Sequence, residues 1–268
     1  MKKMIVWLAA VWLLAIIPAL GEEGPAWDYP LAPEVLQDIE DYIILTNRSA
    51  LLSDDYVPED LVRVTAKKAR DAGDCQLRKE CSAALNQMFS DAQEAGYTLY
   101  VKSAYRSYQT QRTMYNNRLE RMGRDDGLVA YPGSSDHQTG LGVDILNYAW
   151  TLKDGMNKDF ALTQEAQWME AHCREYGFIL RYMEDKEEST GIKFEPWHFR
   201  YVGLEAAAYI MDNHLSLEEF TQEWQGYIAD YEASGGDFQA LLRERARVNA
   251  PTVVGVDDEG EQELSIFY

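Results

Sequence analysis

The stretch Ser-Ser-Asp-His-Gln-Thr-Gly-Leu-Gly-Val-Asp-Ile, residues 134–145, sets His137 seven residues before Asp144 in a chain with four histidines. Asp144 stands between Val143 and Ile145, and an aspartate inside an apolar strand is costly unless its charge is compensated. A divalent cation would compensate it. His137 in the preceding loop suits a second ligand, because Gly140 and Gly142 permit the tight backbone that brings loop and strand together. Taken alone, this stretch reads equally as a turn-capping aspartate and a loop histidine, since such spacings are common.

A second stretch, Glu195-Pro-Trp-His198, shifts the balance. Two histidines and one carboxylate leave the fourth position of a tetrahedral zinc open, the arrangement of a catalytic rather than a structural site. The other carboxylate is then free to act as general base, taking a proton from the attacking water and passing it to the leaving amine. Spacing alone does not say which of Asp144 and Glu195 is the ligand and which the base.

The elements around these residues read as follows. Residues 77–96 carry apolar side chains at a 3.6 period and predict a helix stopped by Gly96. Residues 97–105 alternate as a strand, placing Arg106 at its end, and 106–123 read as a helix. A loop precedes a strand over 141–150, followed by a helix over 163–177, a strand over 178–183, a short strand or loop over 194–203 and a helix over 204–214. Helices and short strands without a regular βαβ repeat predict an α+β fold, a central, mostly antiparallel sheet flanked by helices. The tail predicts a helical C-terminal extension over 221–268 that closes in a terminal β-hairpin turning at 257–260.

With 268 residues, 46% of them hydrophobic, the chain is large enough for one catalytic-sized domain. Its first 21 residues, a basic start, an apolar run and Ala19-Leu20-Gly21, read as a signal peptide, so the expected location is extracytoplasmic and associated with the cell wall. An uncleaved membrane anchor is the alternative, and only then is a membrane partner expected. Residues 22–44 read as a linker and 45–220 as the domain. The net charge of −20 becomes −22 without Lys2 and Lys3, which argues against a nucleic-acid partner. Three cysteines cannot all pair within the chain. Cys75 and Cys81 would lie about 9 Å apart on one helix, too far for a disulfide unless Cys75 sits in the loop before it.

Three ordered motifs are similar to those of a known family, the zinc D-alanyl-D-alanine carboxypeptidases related to the vancomycin-resistance enzymes and, by fold, to the hedgehog domain. Ser135, His137 and Asp144 match its Ser-x-His and aspartate pattern, and Glu195, Trp197 and His198 match Glu-x-Trp-His. Residues 103–111, Ser-Ala-Tyr-Arg-Ser-Tyr-Gln-Thr-Gln, resemble a third motif. The resemblance spans roughly residues 45–220 and implies one zinc per chain held by His137, Asp144 and His198, with Glu195 as base. Arg106 would bind the substrate carboxylate or the oxyanion, Ser135 would touch the substrate, and Gln111 would bind substrate or brace the loop. Trp197 would keep water from the zinc and hold Glu195 in place. Gly142 stands where the family usually has alanine, a departure expected to loosen the loop.

The expected reaction is removal of the terminal D-alanine from a peptidoglycan stem peptide by a monomer, with D,D-carboxypeptidase action favoured over L,D. The rivals are a zinc endopeptidase or amidase on cell-wall peptides and a zinc-containing wall-binding module without turnover. His172 and His214 lie in expected helices without companion carboxylates at ligand spacing, and Tyr105, Tyr108 and Tyr115 read as packing, so none is assigned to a site.

Overall fold

The computed structural model describes residues 24–37 and 42–248; the signal-peptide reading of 1–21 and the hairpin reading of 257–260 lie outside the described residues. After a short helix α1 (Pro33–Gln37), strands β1 (Leu61–Arg63) and β2 (Gln76–Arg78) pair antiparallel, Leu61 opposite Arg78. The helix expected from residue 77 therefore starts two residues later, as α2 (Lys79–Glu94). Leu77 satisfies a strand as well as a helix because it is fully buried either way, and its pairing with Val62 decides the matter. Cys81, Leu85, Met88, Phe89 and Ala92 form the buried stripe of α2.

Strand β3 (Leu99–Ser103) follows, then α3 (Tyr108–Met122), whose first turn is capped by the Ser107 hydroxyl accepting from the Thr110 amide. On α3 only Gln111 is buried, so this helix stands on the surface, held also by Tyr115 packing edge-on against Tyr131 and by Arg118 pairing with Asp126. A 3₁₀ turn, Asp136–Thr139, leads into β4 (Gly142–Asn147), all six of whose residues are buried. The strand ends earlier than expected because the Asn147 side chain accepts from the Trp150 amide and starts α4 (Tyr148–Thr151). Helix α5 (Gln164–His172), strand β5 (Phe178–Leu180), helix α6 (Glu187–Thr190) and strand β6 (His198–Tyr201) complete the central part.

The sheet has the order β3-β4-β6-β5 with every neighbour antiparallel, and helices flank it, as expected for the α+β class. One core lies between this sheet and α2, with Leu85, Met88, Val101, Ile145 and Phe199 within it. A second core joins α7 (Leu204–Asp212), α8 (Leu217–Ala233) and α9 (Phe238–Val248). The segment read as a linker contributes to it: Tyr29, Leu36 and Ile43 are buried there, and Trp27 packs edge-on against Tyr227 and Tyr231. Cys75 lies outside α2, and all three cysteines are buried and free.

Candidate active site

Antiparallel pairing of β4 with β6 sets Asp144 directly opposite His198, which puts two of the expected ligands side by side at the centre of the sheet. His137 reaches them from the 3₁₀ turn, whose position is fixed by the Arg106 amide donating to the His137 carbonyl at 3.0 Å. One donor atom from each of His137, Asp144 and His198 lies within 4.8 Å of the others, and all three residues are buried. His137 Nε2 is 3.3 Å from one Asp144 oxygen, and His198 Nδ1 is 2.9 Å from the other.

Hydrogen bonding selects the atom that each ring presents. His137 Nδ1 lies 2.7 Å from the Ala104 carbonyl, which can only accept, so the proton sits there and the Nε2 lone pair faces the cluster. With two imidazole nitrogens and a carboxylate converging, this donor set fits one divalent ion of the zinc type.

The charges are arranged accordingly. Burial opposes the negative charge of Asp144, but His137 and His198 outweigh it and hold the carboxyl far below the usual range. Burial also opposes charge on His198, and Asp136 and Asp144 overcome this, raising it to about 9. His137 is pushed down by burial and by the neighbouring Arg106.

Glu195 precedes β6 by three residues, with its Oε2 4.0 Å from His198 Nδ1. Burial, with Asp144 adding to it, pushes the carboxyl up to about 8 despite His198 and Arg106. A carboxyl tuned near neutrality beside the ligands is suited to move a proton. Arg106 is held by neutral acceptors: Nη1 donates to Gln111 Oε1 at 2.8 Å and Nη2 to Ser103 Oγ at 3.0 Å. It makes no salt bridge with any described residue, although Asp144 and Glu195 act on it through space. Gln111 in turn donates from Nε2 to the Ala130 carbonyl at 2.7 Å.

A cavity of about 390 Å³ opens onto the cluster, lined by Arg106, Ser135, Glu195 and Trp197 among others. Among the described residues the Ser135 hydroxyl has no hydrogen-bond partner, and Trp197 is buried and lines the cavity. A second cavity of about 250 Å³ shares Val129, Ala130, Tyr182 and Ile192 with the first. Seven of the eight expected site residues thus line one cavity; Gln111 stands behind Arg106. His172 and His214 pair with Glu175 and Asp185 on the surface.

Gly142 corrects an expectation. A Cβ there would meet the Asp136 backbone carbon at 3.0 Å and the His137 nitrogen at 3.1 Å, so this glycine tightens the approach of turn to strand rather than loosening it. The sequence reading also missed Asp136, Arg181 and Arg200, buried charges next to the cluster. Their signal was present: Arg181 and Arg200 each interrupt an apolar strand frame, as Asp144 does.

A buried two-histidine, one-carboxylate set with one open side and a proton-transfer group beside it defines a metallohydrolase. Comparison with known proteins then identifies the kind. The VanY family, described as D-alanyl-D-alanine carboxypeptidase, matches residues 74–204. YodJ of Bacillus subtilis is 38% identical over 194 residues, 71% of this chain and 70% of that protein. The structure of LdcB, an LD-carboxypeptidase, superposes with a TM-score of 0.62 at 38% identity, covering 66% of this chain and 84% of that one. A mutant of the vancomycin-resistance D,D-pentapeptidase VanY, solved in complex with Zn(II), gives a TM-score of 0.55 at 30% identity, covering 67% of this chain and 98% of that one. VanYB has also been solved with D-alanine-D-alanine. This chain belongs to the VanY family of D-alanyl-D-alanine carboxypeptidases.

Proposed function

We propose that the protein is an exported zinc carboxypeptidase that removes the terminal D-alanine of a peptidoglycan stem peptide. The observation that carries this reading is the pairing of an open His137–Asp144–His198 cluster with a half-buried arginine, Arg106, that is held by neutral acceptors and makes no salt bridge with any described carboxylate. Zinc, when bound by these three residues, supplies Lewis-acid polarisation of the scissile carbonyl. Glu195 takes the proton of the attacking water and returns it to the leaving amine. Arg106 binds the free C-terminal carboxylate, a requirement that an endopeptidase or amidase does not have. A binding module without turnover has no use for the tuned carboxyl of Glu195. Trp197 excludes water and holds Glu195, and Ser135 offers its hydroxyl to the peptide.

D,D action is favoured because, of the described residues lining the cavity, only Asp144 and Glu195 carry carboxylates, and both stand at the ligand cluster. None of these described lining residues offers a further carboxylate to the ammonium of a diamino acid placed before the scissile bond. The second reading, L,D action, is supported by the 38% identity to LdcB. The test is D-alanine release from synthetic pentapeptide and tetrapeptide stems by the zinc-loaded protein. Release from pentapeptide alone is expected; release from tetrapeptide alone would assign the L,D reaction, and release from neither would refute the proposal.

A further inference from the structure

Beneath the ligand cluster lies a second set of charges. Asp136, next to His137 in the 3₁₀ turn, is completely buried between two arginines that are themselves 1% and 0% exposed. Arg181 donates from Nε to Asp136 Oδ2 at 2.9 Å, and Arg200 donates from Nη1 to Oδ1. The remaining nitrogens of both arginines are also engaged. Arg181 donates from Nη1 and Nη2 to the two oxygens of Glu218 on α8, each at 2.7 Å. Arg200 donates from Nη2 to the carbonyls of Tyr42 and Ile44 at 3.0 and 2.8 Å.

Burying so many charges is a poor route to stability, because the desolvation cost offsets most of the attraction and apolar side chains of similar volume would do as well. The arrangement gains a purpose at His198. While its Nδ1 faces Asp144, its Nε2 is buried without a hydrogen-bond partner among the described residues and lies 3.6 Å from Asp136 Oδ2. The contrast with His137, whose outward nitrogen is satisfied by Ala104, singles out His198 as the ring that still needs an acceptor. A histidine that ligates through Nδ1 carries its proton on Nε2, and a carboxylate receiving that proton fixes the ring and strengthens the ligand. The gap to Asp136 exceeds normal hydrogen-bond reach by about half an ångström. The Tyr182 ring lies 4.9 Å from the imidazole, inclined 33° to it, and its hydroxyl donates to the same Asp136 oxygen at 3.4 Å.

We propose that Asp136 is a positioning residue for the metal site, accepting the Nε2 proton of His198, and that Glu218 holds it there through Arg181. Helix α8 thereby becomes part of the apparatus that fixes metal geometry. This rests on the reading that His137, Asp144 and His198 hold zinc.

The test starts with the wild-type protein, labelled with ¹⁵N-histidine and loaded with zinc. Its four histidines make nuclear magnetic resonance assignment tractable. His198 should show the Nε2–H tautomer with a downfield proton protected from solvent exchange; a rapidly exchanging proton, or one on Nδ1, would overturn the proposal. Failure of the wild type to take up zinc at all would instead defeat the reading of the site on which it rests.

Zinc affinity of Asp136→Asn and Glu218→Gln is then measured by competition with a chromogenic chelator, with metal-free thermal unfolding as the control for folding. Asp136→Asn should weaken zinc binding by about 10- to 100-fold, and Glu218→Gln by less in the same direction. A folded Asp136→Asn protein with wild-type affinity would refute the role. Should that variant fail to fold, the wild-type spectrum and the Glu218→Gln affinity decide the question, and a normal affinity in Glu218→Gln would remove α8 from the account.

Discussion

Replacing Gln111 by glutamate asks whether Arg106 is kept as an uncommitted cation. The amide oxygen of Gln111 accepts from Arg106 Nη1 at 2.8 Å, and no described carboxylate forms a salt bridge with that guanidinium. A glutamate of the same length would place a full negative charge at this contact. Hydrogen bonds between charged groups contribute about 1.5–3 kcal/mol, and that is roughly the affinity that Arg106 would lose for a substrate carboxylate. At about 1.4 kcal/mol per tenfold, KM should rise on the order of 10- to 100-fold. The turnover number should change little if Arg106 binds the carboxylate equally in ground and transition states, and should fall as well if it binds the oxyanion. The substitution also removes the donor to the Ala130 carbonyl, a bond of 2.7 Å at the cavity wall. Gln111→Ala removes the same donor without adding charge, so it isolates the cost of losing the brace. The assay is steady-state D-alanine release from a stem peptide, with thermal unfolding of each variant. A Gln111→Glu enzyme with wild-type KM, or one no worse than Gln111→Ala, would refute the reasoning.

Three further outcomes are expected. His137→Ala and His198→Ala should lose the metal, whereas Glu195→Gln should keep it and lose about 10²- to 10⁴-fold in turnover; metal content and kcat measured together check both. Gly142→Ala should weaken zinc binding, because its Cβ would press on the backbone of Asp136 and His137. Crowding of this kind costs about 1–3 kcal/mol against an entropic gain of about 0.4–1 kcal/mol, and a higher melting temperature with unchanged zinc affinity would show that the turn yields. The third concerns the metal-free protein: Glu195 ionises near its ordinary 4.5 when unfolded and near 8 when folded. Its contribution to stability is therefore complete below about pH 4.5 and is lost as the pH rises through 8. Unfolding midpoints should fall over that window and fall less in Glu195→Gln; equal slopes in the two proteins would contradict the burial argument.

The parts of the site legible in the sequence are those whose chemistry is locally improbable. Asp144 in an apolar frame and His198 three residues after Glu195 declare themselves by the cost of burying them, and the strand register only had to make them neighbours. The same cost attaches to Arg181 and Arg200, yet their common partner Asp136 reads as an ordinary polar loop residue between Ser135 and His137. Its burial comes from partners 45 and 64 residues further along the chain, which no local pattern encodes. Gly142 illustrates a different limit: a missing side chain is read locally as freedom, whereas its meaning depends on what packs against it. In the N-terminal segment, the proline and glycine content of residues 24–33 resembles a linker, but Trp27 and Tyr29 find an aromatic surface on α8 and α9. The strand expected over 141–150 ends at Asn147 because that side chain caps α4, an effect that apolar alternation does not register.

The central claim is that the cluster, with Glu195 and Arg106, removes one terminal D-alanine from a stem peptide. Its most direct test is mass spectrometry of muropeptides before and after incubation with the zinc-loaded protein, with a chelated sample as control. The account predicts the loss of a single alanine from uncross-linked pentapeptide stems, abolished by chelation, with cross-linked dimers and glycan–peptide bonds left intact. Cleavage of cross-links, release of whole peptides from glycan, or the same loss in the chelated sample would contradict it.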